Sequence, residues 1–317
     1  MPRRCQPTEG VLRIGSRGST LALAQTHWVR DQIQSRFPDL RIEVRVIKTF
    51  ADRRLTLSVR SSSATGVWVK ELEEALLAGE IDLAVHSMKD LPTRIPDALE
   101  VAAIPLREDA RDALVASRGI RRLQDLPAGA VVGTGSIRRQ AQLLARCPGV
   151  VVREIRGNVD TRLKKLSAGG LDAVILACAG LNRLGLGSRI TSPIALRDML
   201  PAPGQGALAL ETRRDEDKTS RYLSEVHHAP TAIAVTAERA FLRNMAGGCN
   251  SPIGSHARLE AQNLTIVGLI AAPEGKPVIR RTVTAASSAA EEAGAALAEE
   301  VLSRGGAAIL RALGRRT

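Results

Sequence analysis

The sequence predicts two α/β domains followed by a smaller α+β domain. Three observations carry this. Short apolar, β-branched runs alternate with helical stretches between residues 11 and 106. The same alternation begins again at Asp112 and runs to about residue 184. From about residue 230 the pattern changes to one long helix, a hairpin-like run and Ala-rich helices. The two α/β parts are expected to hold mainly parallel sheets.

Val11–Ser16 reads as the first strand, followed by a turn at Arg17-Gly18. Ser19 is a good N-cap for a helix from Thr20 to about Arg36, because its hydroxyl accepts from an N–H left free in the first turn. Glu43–Thr49 alternates with period two and is a second strand. Residues 50–66 are polar and loop-like, and Val69–Leu77 has helical spacing with Gly79 as its C-cap. Ile81–Ser87 is a buried strand that runs into His86, Ser87, Lys89 and Asp90, an ionisable cluster at its carboxyl end. Ligands of open α/β sheets bind at that end. Leu99–Pro105 completes the first set. In the second set, Asp112–Ala116, Ala130–Gly133, Val150–Ile155 and Asp172–Ala177 are strands. Helices lie between them at 137–146 and 159–168, with another near 180–184. Pro201–Gly206 is linker-like and Ala207–Glu211 is one further strand. The last part holds a helix over Thr231–Asn244, a hairpin over 255–284 turning at Pro273-Glu-Gly275, and terminal helices. The expected domains are 1–106 with 202–225, then 107–201, then 226–317.

The chain has 317 residues, with 45 Lys and Arg against 33 Asp and Glu, a net charge of +12. Such an excess implies an anionic partner. Residues 131–165 hold eight basic side chains against Glu154 and Asp160, half the surplus in about a ninth of the chain. Aromatic residues make up only 2%, which leaves little for base stacking and favours a small polyanion over nucleic acid. No apolar run approaches the roughly 20 residues that span a bilayer. No signal-like segment is seen, so a cytoplasmic protein without membrane contact is expected. The four cysteines, Cys5, Cys147, Cys178 and Cys249, form no Cys-x-x-Cys pair, so neither a metal site nor a disulfide framework is expected.

Gly133-Thr-Gly-Ser136-Ile-Arg138-Arg139 sets a Gly-rich turn between a strand and a helix. Free N–H groups, the helix dipole and two arginines make such a turn an anion site. Arg156-Gly-Asn158-Val-Asp160-Thr-Arg162 repeats the logic at the next strand end, Arg183 is a weaker instance, and Arg17 with Ser19 fits from the first domain. Lys164 and Lys165 suit a solvated helix face. Cys249 lies in Gly247-Gly-Cys-Asn-Ser-Pro-Ile-Gly254, where glycines free the backbone and expose the thiol, which points to a covalent role. Cys5, Cys147 and Cys178 read as inert core thiols. His227-His228 reads as structural.

Six motifs in order resemble porphobilinogen deaminase, a family also called hydroxymethylbilane synthase. They are Arg13-Ile-Gly-Ser-Arg17-Gly-Ser19, Val85-His-Ser-Met-Lys-Asp90, Gly133–Gln140, Arg156–Arg162, Pro203-Gly-Gln-Gly206 and Gly247–Gly254. The resemblance implies two domains like type-2 periplasmic binding proteins flanking a cleft, a third, smaller domain, and a monomer. It implies a dipyrromethane cofactor held by a thioether to Cys249. Four porphobilinogens then join head to tail with loss of ammonia, and hydrolysis releases the linear tetrapyrrole. Asp90 falls on the family's essential acid, holding pyrrole N–H groups and stabilising the cation formed as the amine departs. Arg17, Arg138, Arg139, Arg156, Arg162 and Arg183 match carboxylate-binding positions. Ser19, Ser87, Lys89, Thr134, Ser136, Asn158 and Gln205 are further expected contacts, with His86 supporting the loop.

One stretch departs from the family. Members often carry a Lys in a Gly-rich run before an aromatic residue, where this chain has Ser63-Ala-Thr65-Gly66-Val-Trp68. Ala51-Asp52 stands where an earlier Gly-Asp is usual. A different reading, a solute-binding or sensor protein on the same two-domain frame, would leave Cys249 and the third domain without a task.

Overall fold

The structure, a computed structural model, describes residues 10–47, 69–117, 119–214, 217–245 and 251–314. The chain is mixed α/β with a smaller sheet-rich C-terminal part, and it divides into two compact units. One unit comprises residues 1–106 with 208–229, the other 107–207 with 230–317.

The first unit is built on a five-stranded sheet. Its elements are β1 (Val11–Arg17), α1 (Thr20–Arg36), β2 (Arg41–Ile47), α2 (Lys70–Leu77), β3 (Leu83–Ser87) and β4 (Leu99–Ala103). The strand order places β2, β1 and β3 side by side in parallel. Next to β3 comes an antiparallel strand from late in the chain, Leu208–Arg213, and β4 forms the edge. Alternation along the strands sends Leu12, Ile14, Leu83 and Val85 to one face, where Val29 and Ile33 of α1 cover them. On the opposite face Ala84 is packed with Ile81 and with Leu72 and Leu76 of α2.

The second unit repeats that plan. It contains β5 (Asp112–Ala116), β6 (Val131–Gly133), α3 (Ile137–Arg146), β7 (Val151–Arg153) and α4 (Val159–Ser167). These are followed by β8 (Ala173–Ala177), α5 (Cys178–Arg183) and β9 (Ser192–Pro193). The sheet order is β7-β6-β8-β5-β9, with β6 parallel to both β7 and β8 and β5 antiparallel to both β8 and β9. The likeness extends to single residues. Asp82, just before β3, accepts from the N–H of Arg13 in β1 at 2.9 Å, and Asp172, just before β8, accepts from that of Val131 in β6 at 2.7 Å.

Mainly parallel sheets were expected, and half the pairings in each are antiparallel instead. The strands responsible, β5 and Leu208–Arg213 (β10), hold short apolar runs (Ala113–Ala116, Leu208–Leu210) like those of their parallel neighbours, so direction is invisible in sequence. Two elements had no sequence counterpart: β9, only two residues long, and α6 (Asp217–Ser224), whose polar composition hides the buried Tyr222 and Leu223.

The C-terminal part of the second unit contains α7 (Ala229–Asn244), β11 (Ile253–Glu260), β12 (Asn263–Ala271), β13 (Val278–Ala286), α8 (Ala290–Val301) and α9 (Ala307–Ala312). The expected single hairpin is a three-stranded antiparallel meander. Its first turn, at Ala261-Gln262, escaped sequence reasoning because it lacks Gly, Pro or Asn; Ala261 takes φ 53°. Phe241, Leu264, Ile266, Ile270 and Leu297 form its core. Leu269 and Ala271 pack on Ala141 of α3 and on Leu200. The tip between β12 and β13 also meets α3: Gln140 donates to the Pro273 carbonyl at 3.3 Å, and a Cβ on Gly275 would lie 2.7 Å from the Ala145 nitrogen.

Candidate functional site

In the first unit, β1 and β3 are neighbours, so the turn after β1 and the turn after β3 lie side by side at the carboxyl end of the sheet. Ser19 caps α1, its Oγ accepting from Ala22 N–H at 3.3 Å. After β3 the chain makes a 3-10 turn over Met88–Asp90, anchored by buried Met88 and Leu91, with Lys89 half-buried and Asp90 exposed. Arg17, Ser19, Gln25, His86, Ser87 and Asp90 line one small pocket, with Val69 and Val85 among its apolar walls. Four of these, Arg17, Ser19, Ser87 and Asp90, were expected from sequence to touch substrate or cofactor. Gln25 was not: it lies inside α1, where a polar residue reads as solvent-facing. It is buried, and its amide bonds the Ser87 hydroxyl at 2.8 Å. His86, expected to support the loop, is buried, with its Nε2 2.9 Å from Glu211 Oε2.

The second unit offers a basic face at the corresponding strand ends. Thr134 is buried, and its Oγ1 accepts from Ser136 N–H at 3.2 Å. Ser136 caps α3 and Asn158 caps α4, the latter accepting from Thr161 N–H at 2.9 Å. The turn between β6 and α3 rests directly on the end of β7, since a Cβ on Gly135 would lie 2.6 Å from the Ile155 carbonyl oxygen. That contact brings Arg162 alongside, its Nη2 at 3.9 Å from the same Cβ position.

Arg138 and Arg139, expected at carboxylate-binding positions, have a protein carboxylate beside them. Both are buried, and both hold a carboxylate that belongs to the protein itself. Arg138 Nη1 donates to Asp112 at 2.6 Å and to the Leu200 carbonyl. Arg139 donates to Asp112 at 2.8 Å and to the Ile175 carbonyl. Gln205, also expected to face a ligand, is buried and donates to Ala110 O at 2.8 Å and Asp112 at 3.0 Å. Burial alone would raise the Asp112 pKa, but the two guanidiniums outweigh it and hold the carboxyl well below its usual range. Asp112 was read from sequence only as the first residue of a strand. A charged residue opening an apolar strand was the available signal.

The other three arginines of this face have different surroundings. Arg156 is exposed and pairs with Glu154 at 2.7 Å. Arg162 is half-buried, donates from Nε to the Gly157 carbonyl at 2.8 Å, and has no ion pair among the described residues. Burial, then the nearby Arg139 charge, lowers its pKa. Arg183 is half-buried, donates to the Gly206 carbonyl at 2.8 Å, and likewise has no ion pair among the described residues. Burial lowers its pKa to about 10, with Glu108 opposing, so it is charged at neutral pH. Two partly desolvated guanidiniums without an ion pair among the described residues, Arg183 with Glu108 nearby, favour binding of an anion. Cys249 and residues 48–68, including Ala51-Asp52 and Ser63–Trp68, lie outside the described residues. Cys147 and Cys178 are free thiols; burial pushes Cys178 up to about 12, as expected of an inert thiol.

Comparison with known families decides what this arrangement belongs to. "Porphobilinogen deaminase, dipyromethane cofactor binding domain" matches residues 12–221, and "Porphobilinogen deaminase, C-terminal domain" matches 232–303. The chain belongs to the porphobilinogen deaminase family. Relatives of that name are similar along nearly the whole length. The one from Syntrophotalea carbinolica is 47% identical, over 96% of this chain and 97% of its own. That from Thermus thermophilus is 46% identical over 95% and 98%, and that from Deinococcus radiodurans 45% over 95% and 98%. Among solved structures, a TRAP periplasmic solute binding protein from Desulfovibrio salexigens has a TM-score of 0.43 at 11% identity, covering 69% of this chain and 73% of that one. The methionine binding protein MetQ has a TM-score of 0.43 at 12% identity, covering 68% and 89%. No helix among the described residues of this porphobilinogen deaminase family member is long and apolar enough to cross a membrane.

Proposed function

We propose that the chain is a cytoplasmic, monomeric porphobilinogen deaminase in the full sense of hydroxymethylbilane synthase, a transferase of tetrapyrrole biosynthesis. It condenses four porphobilinogens head to tail, releasing ammonia at each step, and frees hydroxymethylbilane by hydrolysis. The observation that carries this reading is Asp90, exposed at the carboxyl end of β3 in one pocket with Arg17 and Ser19. A carboxylate so placed accepts hydrogen bonds from pyrrole N–H groups. It also stabilises the positive charge that develops on the substrate as its amine leaves. Within this reading 107–201 and 226–317 count as separate domains, each with its own sheet.

A dipyrromethane carrying acetate and propionate side chains fits the residues present, because Arg162 and Arg183 are charged, partly desolvated and without an ion pair among the described residues. When bound, that group supplies the nucleophilic pyrrole carbon on which the chain grows. Cys249 would tether it. Arg17, Arg156, Arg162 and Arg183 would hold carboxylates, with Ser19, Ser87, Lys89, Thr134, Ser136 and Asn158 as supporting donors. Arg138, Arg139 and Gln205 act through Asp112, fixing the start of α3 and with it the N–H groups at the Ser136 turn.

The deciding experiment compares the intact mass of the denatured protein with that of Cys249→Ser. A dipyrrole-sized addition, present in the first and absent in the second, is expected. If neither carries it and incubation with porphobilinogen adds nothing, the solute-binding reading replaces this one.

A further inference from the structure

Below the pocket of the first unit lies a buried acid and imidazole that the reaction above does not use. His86 Nε2 and Glu211 Oε2 are 2.9 Å apart, and their side chains are 3% and 0% exposed. Sheet register builds the pair. His86 of β3 lies opposite Ala209 of β10, so Glu211, two residues further on, projects from the same face. Glu211 Oε1 is buried with no hydrogen-bond partner. A carboxylate with so little solvation is tolerated when its charge is balanced, and His86 is the group in contact that can balance it. The balanced forms are imidazolium with carboxylate, or imidazole with carboxylic acid. Each holds one proton that a bare imidazole–carboxylate pair lacks.

Around the pair stand Glu73 of α2 on one side, and Arg17 and Asp90 on the pocket side. Burial, then Glu211, raises the Glu73 pKa, while His86 lowers it, so a further negative charge beneath the pocket is already resisted. Towards the pocket, Ser87 is fastened to Gln25, and the 3-10 turn of Met88–Asp90 follows at once. No flexible segment separates His86 from Asp90, and a tilt of the strand end is passed to the reacting carboxylate.

We propose that His86 and Glu211 are positioning residues for the reaction at Asp90, their buried pair fixing the strand end that presents it and keeping the charge beneath the pocket balanced. This rests on the functional reading above. Turnover at Asp90 then depends on the pair holding its proton, which makes the pH profile the readout. Glu211→Gln keeps size and can still accept from His86 Nε2–H, but it carries no charge and has no proton to lose.

The test is the pH profile of kcat/KM for the cofactor-loaded wild type and Glu211→Gln, with melting temperature and KM measured beside it. The variant is expected to load the cofactor, keep KM within about twofold and lose about tenfold in kcat, the scale of one charge-assisted hydrogen bond. Its alkaline limb should flatten. An alkaline limb unchanged from wild type overturns the proposal whatever happens to kcat or stability, because a merely structural pair would lower both without moving the limb. If the variant does not fold, the His86 ring is titrated by nitrogen NMR in the wild type. Titration together with the alkaline limb supports the proposal, and titration at a separate pH overturns it. A wild type that forms no product from porphobilinogen counts against the functional reading and leaves the pair untouched.

Discussion

At the scale of single residues, the carboxylates of this protein divide by what surrounds them. Asp90 is exposed and lines the pocket, whereas Asp112 is fully buried and ringed by Arg138, Arg139 and Gln205. Replacing Asp90 with Asn should nearly abolish product formation at an unchanged melting temperature. A variant that keeps near-normal turnover would remove Asp90 from the mechanism. Replacing Asp112 with Asn leaves two buried guanidiniums facing a neutral group, and should cost about 3–5 kcal/mol in chemical denaturation. The sign of the pH effect follows from the depressed pKa of Asp112. Its contribution to stability is complete above the carboxyl's unfolded pKa of about 4 and is lost as pH falls below it. The wild type should therefore lose stability on acidification more steeply than Asp112→Asn.

At the scale of elements, the basic face depends on how α3 and α4 begin. Ser136→Ala removes the cap of α3 and should cost about 1 kcal/mol by urea unfolding. Gly135→Ala sets a methyl group 2.6 Å from the Ile155 carbonyl oxygen, which forces the Ser136 turn off the end of β7. This change should raise KM more than it lowers the melting temperature, because it displaces binding groups without opening a core. Equal loss in both would show that the contact serves folding alone. At its other end α3 meets the β12–β13 tip through Gly275, so the helix is held by both sheets of the second unit.

At the scale of the whole chain, Glu238 of α7 gathers segments that are far apart in sequence. Its buried carboxylate accepts from Arg107 at 2.7 and 3.0 Å, from Gly204 N–H at 2.6 Å and from Ala257 N–H at 2.8 Å. Arg107 and Gly204 lie close in sequence to two of the three points where the chain passes between the units, 106–107 and 207–208. Glu238→Ala leaves a largely desolvated guanidinium and two backbone donors without their carboxylate. It should lower stability by several kcal/mol, read as a large fall in the denaturation midpoint.

The sequence by itself determined the two runs of alternating strands and helices, the caps Ser19, Ser136 and Asn158, and Asp90 at a strand end. Each is a local matter of periodicity, side-chain oxygen and turn, and each is written within about ten neighbouring residues. Family membership was legible for a related reason, since six short motifs keep their order along the chain. What only the tertiary structure decided was pairing. Strand direction in β5 and β10 follows from which neighbours they meet, and neither shows it in its own residues. Arg138 and Arg139 stand beside a glycine turn, and only the fold sets Asp112, some 26 residues away in sequence, against both. Glu211 and His86, 125 residues apart, became one buried pair for the same reason. A charge announces itself in sequence, but its counter-charge is chosen by the fold.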